Sequence, residues 1–344
     1  MELNQEQLKI IKAPEKKIAV EACAAATKTT VLIERVRYLL QSGIDAKRIA
    51  VITFTKMAAQ ECVDRLGEDY NSGLFVGTIH SLAARFLSMS GRGGMIGKIA
   101  EDEEFDRLFE LCKDLNLHNS YDWILLDEAQ DTGELEMEFI FHMIQPPCYF
   151  VVMDRRQSIY GFKGAKPELL PKYLAGATWY TLNTNYRNGK TILDYAKRII
   201  NKTALNDTSK PARNYYGQVL EMHYDSDKIE EYIRAIDEYS DWAILCRTNN
   251  DIYKIQADFR RMNIPYDTFR QGDLTKEELE KRMSANTVKI LTAHSSKGLA
   301  WNNVIVYGMR WWNEEEYRLN YVAATRARNT LIWILPENKK RRGH

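Results

Sequence analysis

Cysteine is sparse and unpatterned in this chain, with five among 344 residues: Cys23, Cys62, Cys112, Cys148 and Cys246. An odd number, widely scattered and without a C-x-x-C pair, excludes a disulfide scaffold and gives no thiolate zinc site. A reducing cytoplasm is the expected compartment. Neither sign of charge prevails, because 48 Lys and Arg face 47 Asp and Glu for a net charge of +1. A wholly basic coat for polyanions is therefore absent, although a local basic groove remains open. No apolar run is long enough to cross a bilayer. The polar start, Met1 to Gln7, is not a signal peptide. No repeat and no low-complexity segment stands out. What remains is an ordinary globular balance, 45% hydrophobic and 28% charged, at a length that fits two domains.

Short apolar bursts alternate with helix-period stretches. Lys17 to Ala22, Ile49 to Phe54, Leu74 to Thr78, Trp123 to Leu126 and Tyr149 to Met153 read as strands in the first half. Thr178 to Leu182, Gln218 to His223, Trp242 to Cys246, Val288 to Thr292 and Val304 to Tyr307 read as strands in the second. Helical patterns separate them, including Thr29 to Leu40, Lys56 to Leu66, Glu101 to Leu115, Lys228 to Tyr239 and Ile252 to Met262. This rhythm predicts parallel sheets covered on both faces, hence an α/β fold of two lobes joined near residues 170 to 178. The basic end, Lys339 to Arg342, reads as a solvated tail.

Two constellations carry chemistry. Between the first strand and its helix lies Ala22-Cys23-Ala24-Ala25-Ala26-Thr27-Lys28-Thr29. Strand, short loop, Lys-Thr and helix is the layout of a phosphate-binding loop, where helix N–H groups favour an anion. Lys28 would reach the β- and γ-phosphates and Thr29 would hold Mg²⁺. The loop contains no glycine, so taken alone it reads better as an alanine-rich turn with a surface lysine. The second constellation supports the first. Trp123-Ile124-Leu125-Leu126 ends in Asp127-Glu128, which puts two carboxylates at the C-terminal end of an apolar strand, where parallel sheets place ligands. Asp127 can hold Mg²⁺ and Glu128 can take a proton from an attacking water.

Nearly the whole length resembles the UvrD/Rep-type superfamily 1A DNA helicases, motif by motif and in order. Leu3 to Gln7 resembles the adenine-reading Q motif, with Gln7 as reader. Thr53 to Ala59 resembles motif Ia, and Gly77 to Ser81 motif Ib. Leu126 to Thr132 (LDEAQDT) resembles motif II, and Asp154 to Ala165 (DRRQSIYGFKGA) motif III. Leu182 to Arg187 (LNTNYR) resembles motif IV, Val288 to Leu299 (VKILTAHSSKGL) motif V, and Tyr321 to Ala327 (YVAATRA) motif VI. The resemblance implies two tandem RecA-like P-loop NTPase domains, 1–175 (with a small helical insertion at about 86–120) and 176–344, clamping ATP and Mg²⁺ in the cleft between them. It places Lys28, Asp127, Glu128, Gln157, Arg187 and Arg326 in the catalytic set, with Thr29 and Asp127 on the metal. Around the nucleotide it puts Gln7, the loop from Cys23, Ala24, Ala25 and Ala26 to Thr27, then Thr30, Gly298 and the Tyr186 ring on adenine. Single-stranded DNA would meet the rings of Phe54, Tyr160 and Phe162 and its phosphates Thr55, Thr78, His80 and His294. The resemblance further implies 3′-to-5′ movement on single strands or single/double-strand junctions, a protein partner that activates unwinding, and no membrane.

Departures from the family pattern qualify this picture. Cys23, Ala25 and Thr27 stand where the family carries glycines. Positive φ forced on such residues costs about 1–3 kcal/mol each, enough to weaken nucleotide binding about tenfold if felt only in the bound state. Ala300 replaces a ribose-contacting glutamate. Arg155 and Arg156 stand where acidic residues are common, and read either as added positive charge at the cleft or as a solvated pair. Cys23 reads as a thiol activated by Lys28 and the helix start, or as a small packed residue. The gaps at Arg85 to Tyr121 and Asn188 to Thr287 are too short for full 1B and 2B accessory domains, so a minimal motor is expected. The alternative is a degenerate motor with little ATPase, acting as a DNA- or partner-binding regulator. A nuclease finds no support, because no further carboxylate and lysine cluster is visible.

Overall fold

The computed structural model describes residues 3–212, 214–236 and 238–336. The tail Lys339 to Arg342 lies outside them. The chain divides into two compact units, Met1–Ala22 with Ala26–Leu182, and Cys23–Ala25 with Asn183–His344.

The first unit is built on six parallel strands: β1 (Lys17–Ala22), β2 (Ile49–Thr53), β3 (Phe75–Thr78), β4 (Trp123–Leu126), β5 (Cys148–Met153) and β6 (Thr178–Leu182). Their order across the sheet is β3-β2-β4-β5-β1-β6. Every residue of β2, β4 and β5 is buried, as continuous apolar strands covered by helices on both faces must be. Register sets Val20 beside Val152 and Leu126 beside Val151. Because all six strands run the same way, the segments after β1, β2, β3, β4 and β5 emerge at one edge. The segment between β3 and β4 folds into helices Ile79–Met89, Ile96–Glu101 and Asp106–Cys112, whose Leu82, Phe86, Leu108 and Phe109 join the core of this same unit. Glu101 to Leu115, expected as one helix, breaks at 102–105, where Glu103 takes a positive φ of 56°.

Thr178–Leu182, expected to begin the second lobe, pairs in parallel with β1 (Ala19 with Trp179) and closes the first sheet. The chain therefore leaves the first unit after Leu182 rather than at residue 175.

The second unit holds a short parallel pair, β7 (Thr184–Asn185) and β8 (Lys210–Pro211). Its main sheet contains β9 (Gln218–His223), β10 (Trp242–Cys246), β11 (Tyr266–Asp267), β12 (Val288–Thr292), β13 (Trp301–Tyr307) and β14 (Ala327–Leu335) in the order β11-β12-β10-β13-β14-β9. β14 is not among the strands expected from the sequence, yet it pairs on both sides, Ile332 lying between Ile305 and Leu220. The helix Lys190–Ile200 buries Ile192, Leu193, Ala196, Ile199 and Ile200. It starts at Gly189, where a Cβ would come 2.8 Å from the backbone nitrogen of Gly217. Only glycine lets the two backbones meet this closely. The segment 188–287, apart from the two undescribed positions, supplies strands and helices of this unit, and among the described residues no third compact unit forms.

Arg35 anchors the N-terminal helix Gln5–Ile11. Its buried guanidinium donates from Nη1 to the carbonyls of Ile11 and Ala13, both at 2.7 Å, and lies 4.9 Å from the Trp123 ring centroid. Charge-assisted bonds of this kind contribute about 1.5–3 kcal/mol each. Arg35→Ala should lower the unfolding free energy measured in urea by about 3 kcal/mol or more; a loss below about 1 kcal/mol would show that the two carbonyls find other donors.

Candidate functional site

β1 delivers its chain into the loop that precedes the helix Lys28–Gln41. Ala25 and Thr27 both adopt left-handed backbone, with φ of 57° and 60°. These are positions where the family pattern carries glycine, and a β-branched residue there is unusual. Side-chain bonding holds the conformation. Thr27 Oγ1 donates to Ala26 O and accepts from Gln7 Nε2, each at 2.6 Å. Gln7 is itself buried, and its Oε1 accepts the Asn4 N–H at 2.8 Å in a capping box. The side chain expected to read adenine is thus bonded to the loop and to its own helix cap. Cys23 is fully buried, which is the packed reading rather than an accessible thiol. Ala24 and Ala26 are buried too, and Thr30 Oγ1 accepts from Arg65 Nη1 at 3.2 Å.

β4 ends beside this loop. Lys28 Nζ lies 3.1 Å from Glu128 Oε1, and Thr29 Oγ1 donates to Asp127 Oδ2 at 2.8 Å. Asp127 Oδ1 accepts the Glu128 N–H at 2.9 Å. Glu128 sits in left-handed backbone at φ 52° and also accepts from Gln130 Nε2. Burial pushes the Asp127 carboxyl up to about 6, with the Glu128 charge adding and Lys28 opposing. Burial works against the Lys28 ammonium, but Glu128, Asp154 and Asp127 outweigh it and hold its pKa above the ordinary lysine value. Thr29 and Asp127 together form an all-oxygen pair, the donor type that a hard cation such as Mg²⁺ takes.

A buried network that the sequence does not disclose links this site to β5. Asp154 Oδ2 accepts from Gln157 Nε2 at 2.6 Å and its Oδ1 from Arg156 Nε at 2.7 Å. Arg156 Nη2 reaches the Ala22 carbonyl at 2.6 Å, just before the loop that leads to Lys28. Arg155 Nε donates to Glu21 Oε2 at 2.8 Å. Gln130 Oε1 accepts the Asp154 N–H at 2.9 Å. The two arginines are therefore neither loose cleft charge nor a solvated pair: each is neutralised by a carboxylate of its own unit. Glu21, inside the first strand, is the available signal, since a charge in a buried strand requires a partner.

At the same sheet edge Phe54 and Tyr160 stack, with centroids 5.3 Å apart and planes 17° from parallel. Phe162 meets Tyr160 edge-on at 6.1 Å and is 67% exposed. Thr55 and Thr78 cap the helices that follow β2 and β3, accepting from Ala58 N at 3.1 Å and Ser81 N at 3.2 Å. His80 is half-buried against Phe105 and Phe109, and burial lowers its pKa despite Asp106. It can donate one hydrogen bond there but carries no charge at neutral pH.

In the second unit Arg187 and Arg326 meet at Thr325. Arg187 Nη1 donates to Thr325 O at 3.2 Å, and Arg326 Nη2 to Thr325 Oγ1 at 3.1 Å. Arg326 Nη1 also reaches Leu299 O at 3.2 Å, next to Gly298, whose φ is 88°. Burial, then the charges of Arg326 and Arg328, lower the Arg187 pKa well below its usual value. A clustered, desolvated guanidinium pair of this kind favours an anion. Tyr186 is half-buried beside Arg187, its N–H bonded to Ala25 O at 3.2 Å. His294 follows the C-terminal end of β12, whereas Arg326 immediately precedes β14, so the two lie at opposite edges of this parallel sheet.

The chain belongs to the UvrD/REP helicase family. The model of the UvrD/REP helicase N-terminal domain matches residues 3–104 and 106–174, and that of the UvrD-like helicase C-terminal domain matches 180–278 and 269–338. Tandem RecA-like α/β domains are the fold of these two models. Among curated relatives, a probable DNA helicase II homolog of Mycoplasma capricolum is 24% identical, over 80% of this chain and 54% of its own length. The ATP-dependent DNA helicase PcrA of Leuconostoc citreum is 24% identical over 77% and 49%. A probable DNA helicase of Mycoplasma pneumoniae is 24% identical over 96% and 83%. The chain spans about half the length of the first two.

Two outcomes test this geometry. Ala25→Gly should raise stability by about 0.5–1 kcal/mol, the left-handed cost of about 1–2 kcal/mol less glycine's extra chain entropy; destabilisation in urea would refute the strain. Burial, with Asp106 and Asp131, pushes Glu136 up to about 7 against the Gly133 N–H that it accepts. The folded state therefore binds this proton more tightly than the unfolded one, and stability falls as pH rises through about 7. Glu136→Gln should stabilise the protein above that pH and change little below the ordinary carboxylate range. Equal gains at both ends of the scale would contradict the assignment.

Proposed function

We propose that this chain is an ATP-driven DNA translocase or helicase moving 3′ to 5′ on single strands or single/double-strand junctions. The observation that carries the reading is the cross-bonded quartet of Lys28, Thr29, Asp127 and Glu128 at the C-terminal ends of β1 and β4. Phosphate oxygens compete with Glu128 for the Lys28 ammonium. Capture of Lys28 releases Glu128 to accept a proton from the attacking water. Thr29 and Asp127 hold Mg²⁺, which when bound neutralises charge on the phosphates. Gln157, fixed by Asp154, senses the γ-phosphate. Arg187 and Arg326 stabilise the transferring phosphoryl group, so turnover needs both units.

The stacked Phe54 and Tyr160 with exposed Phe162 offer π-faces to any base, each worth about 1–3 kcal/mol, which suits movement independent of sequence. The relatives' names as DNA helicases favour DNA as the track. Five buried cysteines that form no disulfide suit a reducing compartment such as the cytoplasm. With no third unit among the described residues, strand separation is expected to need a protein partner.

The second reading, a degenerate motor, draws on the non-glycine residues at positive φ in the loop. ATPase assays with and without single-stranded DNA separate the two. The motor reading predicts turnover that DNA stimulates and that Lys28→Ala or Glu128→Gln lowers at least about a hundredfold. Flat turnover, insensitive to both substitutions, would favour the regulator.

A further inference from the structure

The second unit carries an aromatic and cationic surface that the reaction does not use. A cavity of about 330 Å³ opens among Tyr195, Trp311 and Trp333, with Arg198 and Lys202 at its wall. Trp333 lies 5.6 Å from Tyr195 and 5.7 Å from Trp311, with the planes tilted by 50° and 41°; Tyr195 and Trp333 are buried, and half-buried Trp311 is the ring of the three that meets solvent. A second, more open depression continues from it along the helix Lys190–Ile200, shares Arg198, and ends at Lys190 and Tyr216. Tyr216 is 68% exposed. Cations flank the rings throughout: Arg198 beside Tyr195, Lys202 beside Trp311 and Lys190 beside Tyr216, each 5.4 Å from a centroid.

The carboxylates here are fewer. Glu221, which accepts from the Tyr195 hydroxyl at 2.7 Å, and Asp194 stand against four cations, Lys190, Lys197, Arg198 and Lys202. The sequence after Pro336, which lines the cavity, sets Lys339, Lys340, Arg341 and Arg342 against the single acid Glu337. Its charge has the same sign as the surface, which disfavours this tail as the occupant. Flat apolar rings beside long, flexible cations instead complement a ligand with alternating flat faces and negative charges. The geometry points to a second single-strand nucleic-acid contact on this face, with bases against the accessible rings of Trp311 and Tyr216 and phosphates along Lys190, Arg198 and Lys202. This rests on the proposal that the chain works on DNA, and it adds an anchoring site outside the Phe54 and Tyr160 stack.

Binding of labelled oligothymidylate, measured by anisotropy across a salt series, tests it. Arg198→Glu with Lys202→Glu should weaken binding of a long oligomer at least about tenfold and flatten the salt slope by about 1.4, the value for two lost single-strand phosphate contacts. Arg198→Gln with Lys202→Gln should flatten it likewise, which guards against misfolding of the charge-reversed form. ATPase without DNA should be unchanged in both. Unaltered affinity and slope in both double variants would overturn the inference while leaving the motor intact. Equal competition by polyglutamate, without loss of oligomer binding in the variants, would overturn it in favour of an acidic protein partner. Failure of the unaltered protein to bind any oligomer would overturn both this inference and the proposed DNA track.

Discussion

The pairing of Lys28 with Glu128, reinforced by the Thr29 to Asp127 bond, is the constraint on which the first unit's chemistry depends. Buried Asp127 and the largely covered Lys28 ammonium, with half-buried Glu128 beside them, are sustained because their charges and hydrogen bonds close on one another. The parallel sheet makes that closure possible, because it brings the ends of β1 and β4 to the same edge with β5 between them. The pair also poises the site. In the proposed reaction its cation meets the incoming phosphate and its anion takes the proton from the attacking water.

Around this centre the structure distributes strain and support unevenly. Ala25, Thr27 and Glu128 all occupy left-handed backbone, three non-glycine residues within one small region. Such conformations persist only when their surroundings over-determine them. Here the supports are visible. Gln7 holds the Thr27 hydroxyl, Arg35 holds the end of the helix bearing Gln7, and Arg156 holds the carbonyl of Ala22. In a loop without glycines, side-chain hydrogen bonds hold the backbone in its left-handed conformations.

Much of this is legible in the sequence. Fully buried strands announce themselves as apolar runs, so the apolar bursts at β4 and β10 coincide with the strands that form. The quartet is legible because Lys-Thr and Asp-Glu each follow such a run. Other features are not. β14 opens with Ala327, Arg328 and Asn329, a polar start that hides a strand where the stretch resembling motif VI ends. β6 is mostly exposed, with Leu182 its one buried residue, and nothing local says which of two sheets it will join. Gln7 can be placed on a helix start, but its bond to Thr27 spans 20 positions and depends on the fold. The same holds for Arg155 and Arg156, whose carboxylate Glu21 lies on β1.

The central claim is that Thr29 and Asp127 make a metal-dependent nucleotide site, and equilibrium titration with ADP in the presence and absence of Mg²⁺ tests it most directly. The account predicts that Mg²⁺ tightens ADP binding about tenfold or more, equivalent to about 1.4 kcal/mol. It also predicts that Asp127→Asn removes that increment while leaving metal-free binding in place. Equal affinities with and without the cation in the unaltered protein, or a full increment retained in Asp127→Asn, would contradict it.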